Sequence, residues 1–359
     1  MNERPQSDFE NWIERQLPPT HRLQCNLHLA PLAGDAGFRR YYRSNSQPPL
    51  IAVNAPPAHE NNLAFVRVAA SLSNGGIRVP KIHAVNFSKG FLLLEDFGDH
   101  LLQSVLDLDS LVANYDRAES ILLEIQQIAT DSRLYVPYDA DMLGAELRLF
   151  EQWFVNQLLG IELSTSDRQL LESIFADLIS SAEEQPHVLV HRDYHSRNIM
   201  LLNDGTLGII DFQDAVSGPI TYDLVSLLKD CYVRWPAALM AQRALNYKMR
   251  AEALGLIAAI DDRDFLRWFD WMGLQRHIKV LGVFARLALR DGKRGYLQDL
   301  PRVIEYCLET ASNYPQLQPF GDWFRRTIEP LLATQPWYAA YFAALESRPG
   351  DCATQRKDG

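Results

Sequence analysis

Between residues 188 and 212 the chain reads VLVHRDYHSRNIMLLNDGTLGIIDF, an island of strand character inside a stretch whose apolar residues otherwise recur at helical spacing. Within it, Asn203-Asp204-Gly205 separates the apolar runs IMLL and LGII. A Gly-containing Asn/Asp pair between such runs is the strongest short-range hairpin signal. With Asp204 and Gly205 as the two turn residues, pairing is symmetric about their midpoint and sets Asn198 directly opposite Asp211. Facing residues of an antiparallel pair hold their Cβ atoms ~4.5–5.5 Å apart. An amide oxygen and a carboxylate at that separation suit one hard cation, and magnesium, which takes oxygen ligands and few protein groups, is the natural choice.

The rest of the chain supplies a setting for this hairpin. Its 359 residues exceed the roughly 250–300 at which a single core stops growing, so two lobes are expected. Strand-like runs (NLHLAPL, FRRYYR, LIAVN) broken by AGDAG and SNSQPP occupy residues 26–54. From His59 to Asn74, the spacing of Leu63, Val66 and Ala70 predicts a helix that stops at Gly75-Gly76, and VPKIHAV and GFLLLEDF follow as strands. Residues 1–98 therefore read as a small, mostly antiparallel sheet carrying one helix. Residues 99–346 read as a larger, mainly helical lobe, and the polar tail at 347–359 as disordered. The fold class expected is α+β.

Lys+Arg 35 against Asp+Glu 45 gives a net charge of −10, which disfavours nucleic acid and anionic membrane as partners. The N-terminus lacks the basic start and apolar core of a secretory signal, and no apolar run approaches the ~18 residues of a membrane span, so a cytoplasmic location is expected. Four scattered cysteines without a C-x-x-C pair read as reduced structural thiols.

Asp193 stands five residues before Asn198, and the run His191-Arg192-Asp193-x-x-x-x-Asn198 is similar to the protein-kinase catalytic loop. In that chemistry an Asp accepts the proton of the attacking hydroxyl, while the Asn and a second Asp hold the metal ions that bridge the phosphates. The second Asp here begins Asp-Phe-Gln. A zinc stripe of His187, His191 and His195 is disfavoured, because on the strand that Val188-Leu189-Val190 predicts, residues four apart lie ~13 Å apart. His191 and His195 instead read as braces of the loop, with His195 also a candidate to touch substrate.

With its surroundings the island resembles the aminoglycoside phosphotransferase-like superfamily of small-molecule kinases over nearly the whole chain. HRDYHSRNIM, IDFQDAVSGPITYDLVSLLKDCYVRWP and WMGLQRHIKVLGVFARLALRDGK resemble the anomeric amino-sugar kinases within it. The resemblance implies a bilobal protein-kinase-like fold and ATP-dependent phosphorylation of N-acetylmuramate and N-acetylglucosamine at C1, with Mg2+, in peptidoglycan recycling. It also implies a pathway link to a sugar-1-phosphate uridylyltransferase. By motif, Asp193 is the catalytic base and Asn198 and Asp211 are the metal ligands. Asp223, in Thr-Tyr-Asp-Leu, is expected to cap a helix and tie down the catalytic loop.

One departure from the family pattern concerns the nucleotide. The strand lysine that contacts the α- and β-phosphates has no counterpart, since Ala52, Val53 and Asn54 occupy that strand. Arg39 or Arg40, just after the loop between Gly34 and Gly37, is the expected substitute. Val53 is expected to pack an adenine face, with backbone groups from Glu95 to Phe97 serving its edge. For the acceptor, Arg276, His277 and Lys279 are candidate donors to the lactyl carboxylate of N-acetylmuramate. A kinase of the same fold for an aminoglycoside, choline, homoserine or another sugar remains an alternative, as does a pseudokinase scaffold.

Overall fold

The computed structural model describes residues 7–32, 37–107 and 109–346. Gly34 and the tail at 347–359 lie outside the described residues. The chain divides into two compact units, Met1–Val136 with Leu189–Val216, and Pro137–Val188 with Ser217–Gly359. The fold class is α+β.

The first helix, α1 (Asp8–Gln16), opens with a reciprocal capping box: Ser7 Oγ accepts the Glu10 N–H at 3.2 Å and the Glu10 carboxylate accepts the Ser7 N–H at 2.7 Å. Phe9, Trp12 and Ile13 share one helix face and pack with Leu50, Ala52 and Leu93. The sequence reading assigned no element here. Strands β1 (Leu29–Pro31), β2 (Arg40–Ser44), β3 (Leu50–Asn54), β4 (Ile82–Asn86) and β5 (Phe91–Glu95) form one antiparallel sheet in the order β1-β2-β3-β5-β4, and α2 (Asn62–Asn74) is inserted after β3. Strand alternation divides β3. Ala52 pairs with Leu93 on the face that α1 covers, whereas Val53 stands in a row with Tyr41 and Leu92 on the other.

After α3 (Leu111–Gln126) the chain enters the second unit along α4 (Ala140–Leu149), which continues as a π-helical segment over Phe150–Leu158, and α5 (Thr165–Glu183). It returns along β6 (His187–Val190), makes the hairpin β7 (Ile199–Leu201) and β8 (Leu207–Ile209), and leaves along β9 (Val216–Pro219). Helices α6 (Thr221–Leu228), α7 (Ala237–Ala253), α8 (Asp262–Leu289), α9 (Leu300–Asn313) and α10 (Gln318–Thr327) follow. Helix α8 runs through the core of the second unit, against Phe150, Phe154, Leu171, Val303 and Trp323. Gly282 permits the closest approach, since a Cβ there would stand 2.4 Å from the carbonyl carbon of Leu149. Among the described residues no helix is long and apolar enough to cross a membrane.

Candidate active site

The catalytic-loop residues and the nucleotide-side residues all lie in the first unit. His191 is buried, and burial pushes its pKa down to about 4, so the ring is neutral. Its Nε2 donates to the Ile210 carbonyl at 3.0 Å and its Nδ1 accepts the Asp193 N–H at 3.3 Å. One tautomer satisfies both bonds and ties Asp193 to the residue before Asp211. The Asp193 carbonyl accepts from the His195 N–H at 3.0 Å and from Asn198 Nδ2 at 3.0 Å. The second bond engages the Asn198 amide nitrogen and turns it, rather than Oδ1, towards the loop. Tyr194 is wholly buried and donates to the Ala118 carbonyl in α3 at 2.8 Å, while Arg197 donates to Gln103 at 2.9 Å. His191 thus braces the loop as expected, and His195 sits half-buried in the loop with its backbone bonded at both ends.

The hairpin differs from its sequence reading by half a residue at the turn. Leu202 N–H bonds to Thr206 O at 2.9 Å, so Asn203, Asp204 and Gly205 make a three-residue loop, with Gly205 at φ +80°. Pairing of Ile199 with Ile209 and Leu201 with Leu207 then puts Asn198 opposite Ile210, and the Ile210 N–H bonds to Asn198 O at 3.1 Å. Direct facing of Asn198 and Asp211 is therefore corrected. Asp211 lies one residue past that pair, where φ +63° turns the chain. Arg192, at φ +75°, makes a similar turn before Asp193. A left-handed conformation costs a non-glycine residue about 1–3 kcal/mol and persists where surrounding bonds impose it, often at a functional site.

The charges explain what these turns achieve. Burial pushes Asp211 up to about 6, the negative charges of Asp193 and Asp214 push the same way, and Arg39 and a 2.8 Å hydrogen bond from Gln213 oppose them. The Asp211 carboxylate is nonetheless solvent-accessible, with two other carboxylates and one guanidinium among its charged neighbours. Asp211 and the Asn198 amide oxygen, near each other in the chain pairing, are hard oxygen donors of the kind that magnesium takes.

On the nucleotide side the structure separates the two arginines. Arg39 is 8% exposed, pairs with Glu60 at 3.3 Å and lies 5.0 Å over the Phe65 ring. Arg40 is exposed and folds back onto the carbonyls of Gly37 and Arg39. Tyr41 lies two residues after Arg39 and has its phenol pushed up to about 12 by burial. Gly37 adopts φ +138°, which favours glycine. Val53 is buried beside Tyr41 in the cross-strand row. Glu95 takes a fork from Arg78 and spends its N–H on Lys81 O at 2.8 Å. The Phe97 ring lies beneath Arg78 at 4.7 Å and against Gly208, whereas its backbone N–H and C=O make no hydrogen bond to another described residue. Sequence reasoning missed Tyr41 and Glu60. The alternation along β2 is the signal that singles out Arg39 with Tyr41, and Glu60 stands just before the α2 cap Asn61.

In the second unit, Arg276 donates to Ser226 at 2.7 Å, His277 Nε2 to the Lys229 carbonyl at 3.0 Å, and Lys279 to Tyr222 while it pairs with Glu146 at 2.9 Å. All three side chains bond to neighbouring elements of their own unit, and His277 Nδ1 is buried without a hydrogen-bond partner among the described residues. Asp223 is wholly buried in the first turn of α6, whose capping position is Ile220. It is therefore not the cap residue that the sequence reading expected.

Comparison with known proteins matches residues 28–269 to the phosphotransferase enzyme family. The chain is 38% identical over 317 residues to an N-acetylmuramate/N-acetylglucosamine kinase of Pseudomonas putida, covering 87% of this chain and 93% of that one. It is 38% identical over 314 residues to the protein of the same name from Pseudomonas aeruginosa, covering 87% and 90%. Among solved structures, an ADP-bound aminoglycoside phosphotransferase superposes with a TM-score of 0.56 at 14% identity, covering 85% of this chain and 98% of that one.

Proposed function

The chain belongs to the phosphotransferase enzyme family, and we propose that it moves the terminal phosphoryl group of ATP onto the anomeric (C1) hydroxyl of its sugar. It is a kinase for the amino sugars N-acetylmuramate and N-acetylglucosamine, the acceptors for which its relatives are named. The observation that supports this chemistry best is the neutral His191 ring, which joins the Asp193 N–H to the carbonyl of Ile210, the residue before Asp211.

Asp193 orients the C1 hydroxyl and accepts its proton late in the transfer, and the neutral His191 fixes the backbone from which it projects. Asn198 and Asp211 hold magnesium, which when bound neutralises phosphate charge. Arg39 adds a fixed positive charge for the phosphate oxygens, and the open backbone of Phe97 serves the adenine edge. Of Glu95 to Phe97, Phe97 is the better candidate, because the Glu95 N–H is already bonded to Lys81. The bonds that Arg276, His277 and Lys279 make inside their own unit support a role in holding its helices rather than in gripping a lactyl carboxylate. Such a reaction belongs in the cytoplasm, where its product suits a uridylyltransferase.

The test is to incubate the protein with MgATP and each amino sugar and to read the product by phosphorus NMR. A phosphate coupled to H1, with loss of the reducing end, is the expected result. Phosphate on another carbon, with the reducing end intact, would refute the C1 assignment.

A further inference from the structure

The carboxylate of Glu60 has two partners of different kinds. One oxygen takes Arg39 Nη2 at 3.3 Å, and the other accepts the backbone N–H of Phe38 at 3.1 Å. The backbone of Gly37 passes the same oxygen so closely that a Cβ there would stand 3.7 Å from it. Glu60 itself is held firmly. Its N–H bonds to Pro56 O at 3.0 Å, its carbonyl accepts the Asn62 N–H at 3.2 Å, and its side chain is 16% exposed.

From Arg39 the contacts continue towards the carboxylates. Its guanidinium lies over Phe65 in the first turn of α2, and Phe65 stacks on Phe212 with ring centroids 5.1 Å apart. Phe212 is the neighbour of Asp211. Glu60 therefore ends a short path that starts at the glycine-containing loop and reaches the metal-holding arm. No strand lysine is present to take this place, because Asn54 stands at the end of β3, paired with Arg40.

We propose that Glu60 is a positioning residue for phosphoryl transfer, one carboxylate that latches the loop at Phe38 and aims Arg39 at the phosphates. Without Glu60, the Phe38 backbone and the Arg39 cation lose their common partner. Arginine and carboxylate here form a charge-assisted contact away from bulk water, the class for which loss of one partner is costly. The inference rests on the phosphoryl-transfer reading above, and ATP affinity measured by calorimetry without any acceptor keeps the two separable.

The experiment compares Glu60→Gln, Glu60→Ala, Arg39→Ala and the double variant Arg39→Ala/Glu60→Ala in the full chain. Glu60→Gln keeps an acceptor for the Phe38 N–H but loses the ion pair, so it is expected to weaken ATP binding about 10-fold, and Glu60→Ala about 30-fold. The KM for the amino sugar should stay within about 2-fold in both, a split that general unfolding would not produce. In the double variant the loss should match that of Arg39→Ala alone within about 3-fold, because the two residues act as one unit. Independent, multiplying losses would overturn the proposal, and so would wild-type ATP affinity in Glu60→Gln. If Glu60→Ala does not fold, the near-isosteric Glu60→Gln carries the test against Arg39→Ala. Absence of turnover in the wild-type protein with either sugar would count instead against the kinase reading.

Discussion

The two units handle charge differently. In the second, three largely enclosed lysines each have an acidic partner: Lys279 has Glu146, Lys229 has Asp270 at 2.7 Å, and Lys248 has Asp262 at 2.7 Å. In the first, Asp211 is crowded by Asp193 and Asp214 and pushed up to about 6. The backbone repeats the contrast. The non-glycine residues with positive φ among those described are Arg192 and Asp211, beside or within the catalytic set. Buried charge alone thus does not mark a site. What marks it is like charge gathered on backbone held in a costly shape.

The largest effect expected from this contrast is on turnover. Asp193→Ala should lower kcat at least ~100-fold while the melting midpoint stays near that of the wild type, as steady-state rates and thermal unfolding together will show. A folded variant with near-normal rate would remove Asp193 from the chemistry. Lys279→Met should do the reverse. It removes the cation from the enclosed Glu146 carboxylate, which keeps the Tyr138 hydroxyl as a donor, and should cost about 2 kcal/mol of stability by urea unfolding, with ATP affinity unchanged.

Asp211 gives a subtler test because its folded pKa is raised. Holding it ionised in the fold costs free energy at neutral pH, a cost that vanishes once pH falls below its unfolded value near 4. In magnesium-free buffer at pH 7.5, Asp211→Asn should therefore be more stable than the wild type by a margin that solvent screening keeps small, with no gain at pH 4 and with activity lost, as urea unfolding at the two pH values and steady-state rates will show. Equal stability at both pH values would mean that the crowding has been relieved by other groups.

The smallest effect separates the two buried histidines. Burial holds His277 near about 3 and His191 near about 4, both below the ordinary value of 6.5. The unfolded chain takes up these protons first, so their contribution to stability is complete above pH 6.5 and is lost as pH falls towards the folded values. His277→Gln should flatten the fall in unfolding free energy below pH 6.5 by up to one proton, read from urea titrations at several pH values. An unchanged slope would show that the ring is not neutral in the fold.

Much of this was legible in the sequence. Strand alternation and the Gly75-Gly76 stop placed the sheet and α2 because each depends on neighbours a few residues away. The helix α1 escaped notice, although Ser7 with Glu10 carries a capping signal, because its apolar face is only three residues wide. The turn at 203–205 was recognised, but its type depends on whether Gly205 alone or two residues turn left-handed, and composition does not settle that choice. The choice between Arg39 and Arg40 needed the start of β2 to one residue, the least readable property of a strand. Glu60 pairs across 21 positions of chain, and no local pattern reports a contact of that span.

The discontinuity of the first unit bears on how the molecule is made. A growing chain delivers the sheet and α3 early, yet Ala118 must wait for Tyr194, His100 for Leu201 and Arg78 for Ile209 before their bonds close. Those partners emerge only after α4 and α5 have been synthesised. The carbonyls of Arg78, His100 and Ala118 therefore spend that interval without their final donors, although the N-terminal sheet itself can already pair, and the first unit closes only once synthesis has passed Ile209.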